Sequence, residues 1–240
     1  MPNSYFQFQQ FRIEQDVCAQ KVSTDACLLG AAADLAGASR VLDVGTGTGL
    51  LALMAAQRAP AATIDAVELY PAAAVQAAAN VAASPWPDRI RVLPLSLADY
   101  AATQPAPFSH IICNPPFFQR SLTSPSATRT AARHAGEGSL TFSELAAFAA
   151  AYLLPQGNLT VLLPPPEMAV FAAESQRVGL TAQARLRVRH RPGGRVTREI
   201  GQFGLEAAAQ VLDAELIIQE LGGEYSAGFR ALLAGFYLNL

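Results

Sequence analysis

The stretch VLDVGTGTG, residues 41–49, decides how this chain folds. Its first four residues read as a short buried strand, and glycines follow at Gly45, Gly47 and Gly49. Glycine tolerates positive φ and lets a ligand approach the backbone closely. In open α/β sheets, ligands bind at the carboxyl ends of strands, near the point where the strand order reverses. The stretch therefore predicts an α/β fold with a binding site where this strand ends.

Strand and helix patterns alternate around this stretch. The strands are short apolar runs, as is typical of buried parallel strands, and they cover residues 40–44, 63–67, 90–94, 110–113 and 158–163. Helices are predicted for residues 24–36, 49–58, 71–83, 142–153 and 167–178, the first with Thr24 or Asp25 as its N-cap. Residues 185–191 and 196–203 read as two strands joined by a Pro-Gly-Gly turn. A closing hairpin after these strand–helix units predicts a Rossmann-like S-adenosylmethionine methyltransferase fold, with a mostly parallel seven-stranded sheet and a closing antiparallel hairpin.

The residues around the glycines favour S-adenosylmethionine as the cofactor. The spacing is G-x-G-x-G, and the third glycine of the dinucleotide-binding fingerprint is missing. Asp43 precedes the turn and can orient the amino-acid end of the cofactor, directly or through water. Glu68, at the end of the next strand, can accept hydrogen bonds from both ribose hydroxyls, and Asp99 can accept a hydrogen bond from the adenine amine. A solvated strand end for Glu68 and a helix N-cap for Asp99 remain open.

The candidate catalytic motif is NPPF, residues 114–117, directly after a predicted strand. An aromatic amine is a poor nucleophile because its lone pair is delocalised into the ring. The side-chain carbonyl of Asn114 and the main-chain carbonyl of Pro115 can accept its two N–H groups, while Pro116 stiffens the loop. Phe117 offers a flat face on which a base can stack. The motif predicts methylation of an exocyclic nitrogen, and a proline-rich turn is the structural alternative.

Four arginines recur at every second residue, at Arg185, Arg187, Arg189 and Arg191. On a strand they share one face, and such a row can follow the phosphates of RNA. A solvated strand face is the alternative. Residues 119–138 hold further basic side chains and can form a loop that closes on the substrate, or a plain surface loop.

The length of 240 residues fits one large domain, or at most two small ones, and we predict a single domain over residues 1–240, with an arm and a helix in residues 1–39 and the core in residues 40–240. Residues 1–15 alternate aromatic and polar side chains and read as an extended arm or an edge hairpin. The three cysteines are widely spaced and the histidines form no cluster, so no metal site is expected. We also expect no membrane span, no obligate protein partner and a cytoplasmic location.

Motifs along nearly the whole chain resemble the bacterial tRNA (adenine-6-amino) methyltransferases that modify the adenosine beside the anticodon of a valine tRNA. The resemblance rests on FQFQQF at 6–11, KVSTD at 21–25, SPW at 84–86, NPPF and the C-terminal tail. It implies that Lys21, Thr24 and Asp25 help to form the cofactor pocket, so that the arm and helix of residues 1–39 complete this pocket, and that the substrate is tRNA. Ser23 stands where the family has glycine, and Phe117 where its best-known members have tyrosine.

Three other functions share some of these features. NPPF also occurs in guanine 2-amino methyltransferases of ribosomal RNA, and NPPY in enzymes that methylate a glutamine of release factors. Both usually carry an extra domain, whereas only a short segment precedes the first core strand here. A non-catalytic RNA-binding module that retains cofactor is a third alternative, disfavoured because Asp43 and Asn114 are both intact.

Overall fold

The computed structural model describes residues 4–17, 21–115 and 140–240. Within these ranges, the elements follow one another as β1 (Tyr5–Gln7), β2 (Arg12–Glu14), α1 (Thr24–Ala32), β3 (Arg40–Val44), α2 (Leu50–Arg58), β4 (Thr63–Val67), α3 (Pro71–Ala82), a 3-10 turn (Pro87–Arg89), β5 (Ile90–Leu93), α4 (Leu97–Ala102), β6 (Phe108–Cys113), α5 (Phe142–Tyr152), β7 (Leu153–Leu163), α6 (Pro165–Arg177), β8 (Thr181–Arg189), β9 (Val196–Gly204), β10 (Leu212–Ile217) and α7 (Ala227–Leu233). None of the helices in these ranges is both long and apolar enough to cross a membrane.

The central sheet has eight strands in the order β10-β8-β9-β7-β6-β3-β4-β5. Strand β9 runs antiparallel to β7 and β8, whereas the other neighbouring strands are parallel. Strand order reverses beside β3, because β4 and β6 pair with its two sides. This topology confirms the predicted Rossmann-like fold and its closing antiparallel hairpin.

The sheet has one strand more than the seven predicted from sequence. The additional strand, β10, pairs in parallel with β8 at the edge of the sheet. Its first four residues are exposed, so it lacks the apolar run by which buried strands are recognised. Asp213 and Glu215 of β10 form ion pairs with arginines of β8, a contact between strands that no local pattern reveals.

Several predicted boundaries also shift. Helix α1 is capped by Ser23, whose hydroxyl accepts the N–H of Ala26 at 3.2 Å, so Thr24 and Asp25 are its first residues and not its N-cap. Strand β8 ends at Arg189, because the carbonyl of Arg191 accepts the turn hydrogen bond that begins the reversal. The short helices α4 and α7 were not predicted, although each begins after a capping serine.

Helices cover both faces of the sheet. One hydrophobic cluster packs α1, α2 and α7 together with the N-terminal residues against the sheet. A second cluster packs α4, α5 and α6 against the opposite face. Both faces of the sheet are therefore covered, and a ligand can reach the sheet only where its strands end.

The N-terminal residues form a separate two-stranded hairpin, β1–β2, and not an extra strand of the main sheet. Phe8 and Phe11 are buried, with ring centroids 4.6 Å apart. The ring of Tyr237, near the C-terminus, lies 6.1 Å from that of Phe8. Both ends of the chain thus pack together, and the hairpin is held against the core.

Candidate functional site

The ends of three neighbouring strands form the candidate site. Val44, the last residue of β3, is level with Cys113 of β6 on one side and Val67 of β4 on the other. The residues that follow these strands, among them Asn114 and Glu68, therefore meet at one edge of the sheet. This edge is the place where open α/β sheets bind their ligands.

The glycine turn after β3 leaves open space above its backbone. Gly45, Gly47 and Gly49 have φ values of 70°, 56° and 84°, which strain other residues. A Cβ atom at Gly45 or Gly47 would meet no atom of the described residues within 4 Å. The N–H groups of Gly45 and Thr46 donate to the carbonyl of Val67 at 2.9 and 3.0 Å, which anchors the turn to β4. The turn is therefore a fixed and uncovered stretch of backbone.

Asp43 lies beneath this turn and is fully buried. Its Oδ2 accepts the Thr46 hydroxyl at 2.5 Å and the Ala52 N–H at 3.0 Å. Its Oδ1 is buried without a hydrogen-bond partner among the described residues. Burial raises the pKa of Asp43 to about 7, although the Thr46 hydrogen bond opposes this shift. The carboxyl group therefore keeps one acceptor for a ligand or a bound water.

Glu68 is held by backbone donors and is only 6 % exposed, so it is not a solvated strand end. Its Oε2 accepts the Gly47 N–H at 2.9 Å, and its Oε1 accepts the Tyr70 N–H at 3.0 Å. Each carboxylate oxygen can accept a further hydrogen bond. Glu68 can thus bind two vicinal hydroxyls while the glycine turn fixes its orientation.

Asn80 of α3 is a residue that the sequence reasoning missed. Its Oδ1 accepts the Glu14 N–H at 2.9 Å, and its Nδ2 donates to the carbonyls of Glu14 and Thr48, both at 2.9 Å. One buried side chain thereby joins the N-terminal hairpin to the glycine turn. An asparagine in the same helical stripe as the buried Ala77 and Val81 was the available signal.

The residues that the family resemblance assigns to the pocket lie at the start of α1. Lys21 and Thr24 are exposed. The carboxylate of Asp25 forms an ion pair with Arg198 of β9 at 2.7 Å, so it ties α1 to the sheet. The Val22 N–H donates to Gln15 at 2.8 Å, which links this segment to the hairpin.

Asp99 is exposed in the first turn of α4. Its N–H donates to the Ser96 hydroxyl oxygen at 3.0 Å, and the Ser96 hydroxyl donates to its Oδ2 at 2.6 Å. The N-cap of α4 is therefore Ser96 and not Asp99, which lies in the first turn of the helix and accepts the hydroxyl proton of the cap. A contact with adenine stays a prediction.

Asn114 follows β6 directly, beside the glycine turn. Its side chain is partly buried, and its Oδ1 is buried without a hydrogen-bond partner among the described residues. Pro115 is buried behind it. The other two residues of the motif, Pro116 and Phe117, and the basic segment 119–138 lie outside the described residues. The site thus presents one amide carbonyl to which no described residue donates.

Three of the four arginines in the row form ion pairs on β8, and the fourth lies beyond this strand. Arg185 and Arg187 lie 2.9 and 3.2 Å from the carboxylate of Asp213. Arg189 lies 2.7 Å from Glu215. The three arginines share the face opposite the buried Val188, as predicted. Arg191 differs, because it lies beyond the end of β8 and is exposed.

The histidine on β6 lies outside the site. His110 is buried and its Nε2 is 3.1 Å from the Thr160 hydroxyl. Burial lowers the pKa of His110 to about 3, so its ring is neutral at physiological pH. No group of three or more histidines, cysteines or acidic residues in the described ranges is arranged to hold a metal ion.

Taken together, these groups fit a nucleoside cofactor with an amino-acid end. The open turn at Gly45 and Gly47 gives room for the ligand beside the backbone, and Glu68 offers acceptors for ribose. Asp43 and Asn114 each hold a buried acceptor that receives no hydrogen bond from the described part of the chain. S-Adenosylmethionine next to a planar amine matches this set of hydrogen-bonding groups.

Comparisons with known proteins agree with this geometry. Residues 17–163 match the family described as methyltransferase small domain. A protein of Bacteroides thetaiotaomicron, named tRNA1(Val) (adenine(37)-N6)-methyltransferase, is 40 % identical over the whole of both chains. Proteins of the same name from Phocaeicola vulgatus and Tolumonas auensis are each 41 % identical, covering 100 % and 98 % of this chain and 100 % and 97 % of theirs.

Solved structures show the same fold at lower identity. A crystal structure described as a predicted O-methyltransferase from Agrobacterium tumefaciens has a TM-score of 0.65 and 24 % identity, covering 90 % of this chain and 100 % of that one. A ribosomal protein L11 methylase from Lactobacillus delbrueckii subsp. bulgaricus has a TM-score of 0.55 and 16 % identity, covering 76 % and 78 %. The family match and the full-length relatives agree with the sheet topology, and the chain belongs to the methyltransferase small domain family.

Proposed function

We propose that this protein transfers a methyl group from S-adenosylmethionine to the 6-amino group of an adenosine in tRNA, beside the anticodon of a valine tRNA. The observation that carries this proposal is the buried Oδ1 of Asn114, which has no hydrogen-bond partner in residues 4–17, 21–115 and 140–240 and lies at the edge that holds the glycine turn. The shared name of the full-length relatives supports the substrate. These relatives give no support to guanine or glutamine as the target.

The cofactor would be held by the groups that line the glycine turn. In this proposal, Gly45, Gly47 and Gly49 provide the surface, Glu68 accepts the ribose hydroxyls and Asp43 orients the amino-acid end. In the same proposal, Lys21, Thr24 and Asp25 border the pocket, and Asp99 accepts a hydrogen bond from the adenine amine. When bound, S-adenosylmethionine supplies an electrophilic methyl group on a sulfonium.

Asn114 and Pro115 would position the nucleophile. Their two carbonyl oxygens accept the two N–H groups of the adenine amine, which turns its lone pair away from the ring and toward the methyl group. The amine gains positive charge as the new bond forms, so the same carbonyls stabilise the transition state more than the ground state. Pro116 would stiffen this loop and Phe117 would stack on the base. The rate comes mainly from orientation.

The target base must leave its stack to reach Asn114, because the amine of a stacked base is covered by its neighbours. The row Arg185, Arg187, Arg189 and Arg191 was predicted to contact RNA; because the first three face carboxylates of β10, we propose that Arg191 is the member that contacts the RNA backbone, which positions the RNA without reading its sequence. The hairpin and the core act as one domain in this proposal. Its place of action is the cytoplasm, where tRNA is available.

A pair of asparagine variants tests this function. Asn114→Ala removes the proposed amine acceptor. Asn158→Ala is the matched control. Asn158 also has a buried Oδ1 that makes no hydrogen bond among the residues described, but it lies on β7 level with His110, three residues before the end of β6. Purified proteins are incubated with S-adenosylmethionine and an unmodified valine tRNA transcript, and the nucleosides are identified by mass spectrometry.

The wild type and Asn158→Ala are expected to form N6-methyladenosine, and Asn114→Ala to form almost none while it binds S-adenosylmethionine normally. An Asn114→Ala rate above about a tenth of wild type, equivalent to less than about 1.4 kcal/mol, contradicts the assigned role. A wild-type product of N2-methylguanosine contradicts the proposed substrate.

A further inference from the structure

The turn between β8 and β9 is a preformed reverse turn that begins at one arginine and is followed directly by another. The Gly194 N–H donates to the Arg191 carbonyl at 3.1 Å, and Gly193 has a φ of 70°. Proline at the second position and a positive φ at the third are the signature of a type II turn. Arg191 is therefore the first residue of this turn, and Arg195 directly follows its last residue.

Neighbouring contacts brace this turn. The guanidinium of Arg189 donates both to Glu215 and to the Gly194 carbonyl. The segment after β10 donates from the Gln219 N–H to the His190 carbonyl at 2.9 Å. Arg189 thus serves the turn as a brace, with its charge already engaged by a carboxylate.

The turn projects at the edge of the sheet where Asn114 lies. Strands β6 and β8 are parallel to each other, and their register across β7 and β9 puts Cys113 level with Arg185. Three strand spacings of about 4.8 Å separate β6 from β8, and Arg189 lies about 13 Å further along its strand than Arg185. The base of the turn is therefore roughly 20 Å from Asn114, on the same side of the molecule.

The arginines of β8 form ion pairs, and in this they differ from the arginines of the turn. The row residues Arg185, Arg187 and Arg189 face the carboxylates of Asp213 and Glu215, so that part of the surface carries little net positive charge. A phosphate that bound there would have to compete with a carboxylate 2.7–3.2 Å from each arginine.

The two turn arginines differ from the row in this respect. Arg191 and Arg195 are exposed, and neither guanidinium makes a hydrogen bond or an ion pair within the described part of the chain. An arginine held by a rigid backbone and unpaired in the free protein can bind a phosphate without first giving up a partner.

We propose that Arg191 and Arg195 of the β8–β9 turn form the site that grips the phosphate backbone of the RNA substrate, while the paired arginines of β8 support the turn. This inference rests on the proposed function, because it takes the substrate to be RNA. The proposed site consists of two cations that have no partner in the described part of the chain and that lie at the edge of the sheet where Asn114 lies. Its ligand is the polyanionic RNA backbone, which the two arginines would bind without regard to the RNA sequence.

Two double variants with the same charge change test the assignment. The turn variant is Arg191→Ala with Arg195→Ala, and the control is Arg185→Ala with Arg187→Ala, which removes two paired arginines. Binding of an unmodified valine tRNA transcript is measured between about 50 and 200 mM salt, the range in which phosphate contacts lose affinity steeply. Cofactor affinity and melting temperature report whether each variant is folded.

In the turn variant, the slope of log K against log salt is expected to become less steep by about 1.4–1.8, which corresponds to two lost phosphate contacts. Its KM for tRNA should rise while its kcat and its affinity for S-adenosylmethionine stay at wild-type values. The control should change the slope by less than half as much. Equal slope changes in both variants, or an unchanged slope in the turn variant, would overturn the proposal.

The same assay separates this inference from the proposed function. Wild-type protein that binds the transcript through the turn but transfers no methyl group to it refutes the function and leaves the phosphate site standing. Wild-type protein that methylates the transcript, with a turn variant indistinguishable from it, refutes the phosphate site alone.

Discussion

Asn80 should matter for cofactor binding although it lies too deep to touch a ligand. Its amide makes three hydrogen bonds, each of 2.9 Å, to the backbone of Glu14 and Thr48. Thr48 belongs to the glycine turn, so the side chain fixes the backbone that would receive S-adenosylmethionine. Replacing it by alanine should loosen both the hairpin and the turn.

The expected loss of stability follows from the number of hydrogen bonds that the substitution removes. A hydrogen bond contributes about 0.5–1.5 kcal/mol net, so three of them give about 1.5–4.5 kcal/mol for Asn80→Ala. Asn80→Asp should be no better, because it keeps the acceptor for the Glu14 N–H but sets a carboxylate oxygen against the carbonyls of Glu14 and Thr48.

Gln76 provides the matched control one helical turn earlier on α3. Its side chain accepts the Val17 N–H at 2.9 Å and donates to Asp16 at 2.9 Å, so it holds the same arm without contacting the glycine turn. Gln76→Ala should cost less than about 1 kcal/mol, because its hydrogen bonds are exposed.

Urea unfolding gives the stability of each variant, and calorimetry gives its affinity for S-adenosylmethionine. Asn80→Ala should lower the unfolding midpoint and weaken cofactor binding by at least about tenfold, the equivalent of about 1.4 kcal/mol. The reasoning is refuted if Asn80→Ala binds cofactor as tightly as Gln76→Ala does, even if both are destabilised.

Two acidic residues give opposite pH effects. Burial raises the pKa of Asp43 from 3.8 to about 7, so the stability of the wild type falls as pH rises through this window. Asp43→Asn should remove this decline and be more stable than the wild type by up to about 4 kcal/mol at pH 8. Parallel pH profiles of the two proteins in urea unfolding would contradict this prediction. Burial alone would raise the pKa of Asp65, but hydrogen bonds from Arg91, Tyr100 and Arg40 outweigh it and lower the pKa. Asp65→Asn should therefore cost about 1–3 kcal/mol at pH 7, a loss that shrinks as pH falls below 3.8 and through the lower folded pKa; equal stability of the two proteins at pH 7 would refute it.

Local sequence signals were sufficient for the centre of the fold. Strands β3 and β4 have the predicted bounds, because each is a short apolar run that ends at a glycine turn or an acidic residue. The position of Asn114 at the edge was predictable for the same reason, since it follows the apolar end of β6. These features depend on residues that are neighbours in the chain.

Features that depend on distant partners were not predictable. Strand β10 is stabilised by pairing with β8, and the Arg185–Asp213 contact spans 28 positions. A row of arginines therefore looks uniformly basic in the sequence, although the folded chain neutralises much of it. Asn80 is a similar case, because its partners Glu14 and Thr48 are 66 and 32 positions away.

The most direct test of the central claim is nucleoside mass spectrometry of valine tRNA from a strain that lacks the gene. The proposed function predicts that N6-methyladenosine disappears from the anticodon loop of this tRNA, that the wild-type gene restores it and that the Asn114→Ala gene does not. An unchanged N6-methyladenosine content in the deletion strain, or the loss of N2-methylguanosine from ribosomal RNA instead, would contradict the proposal.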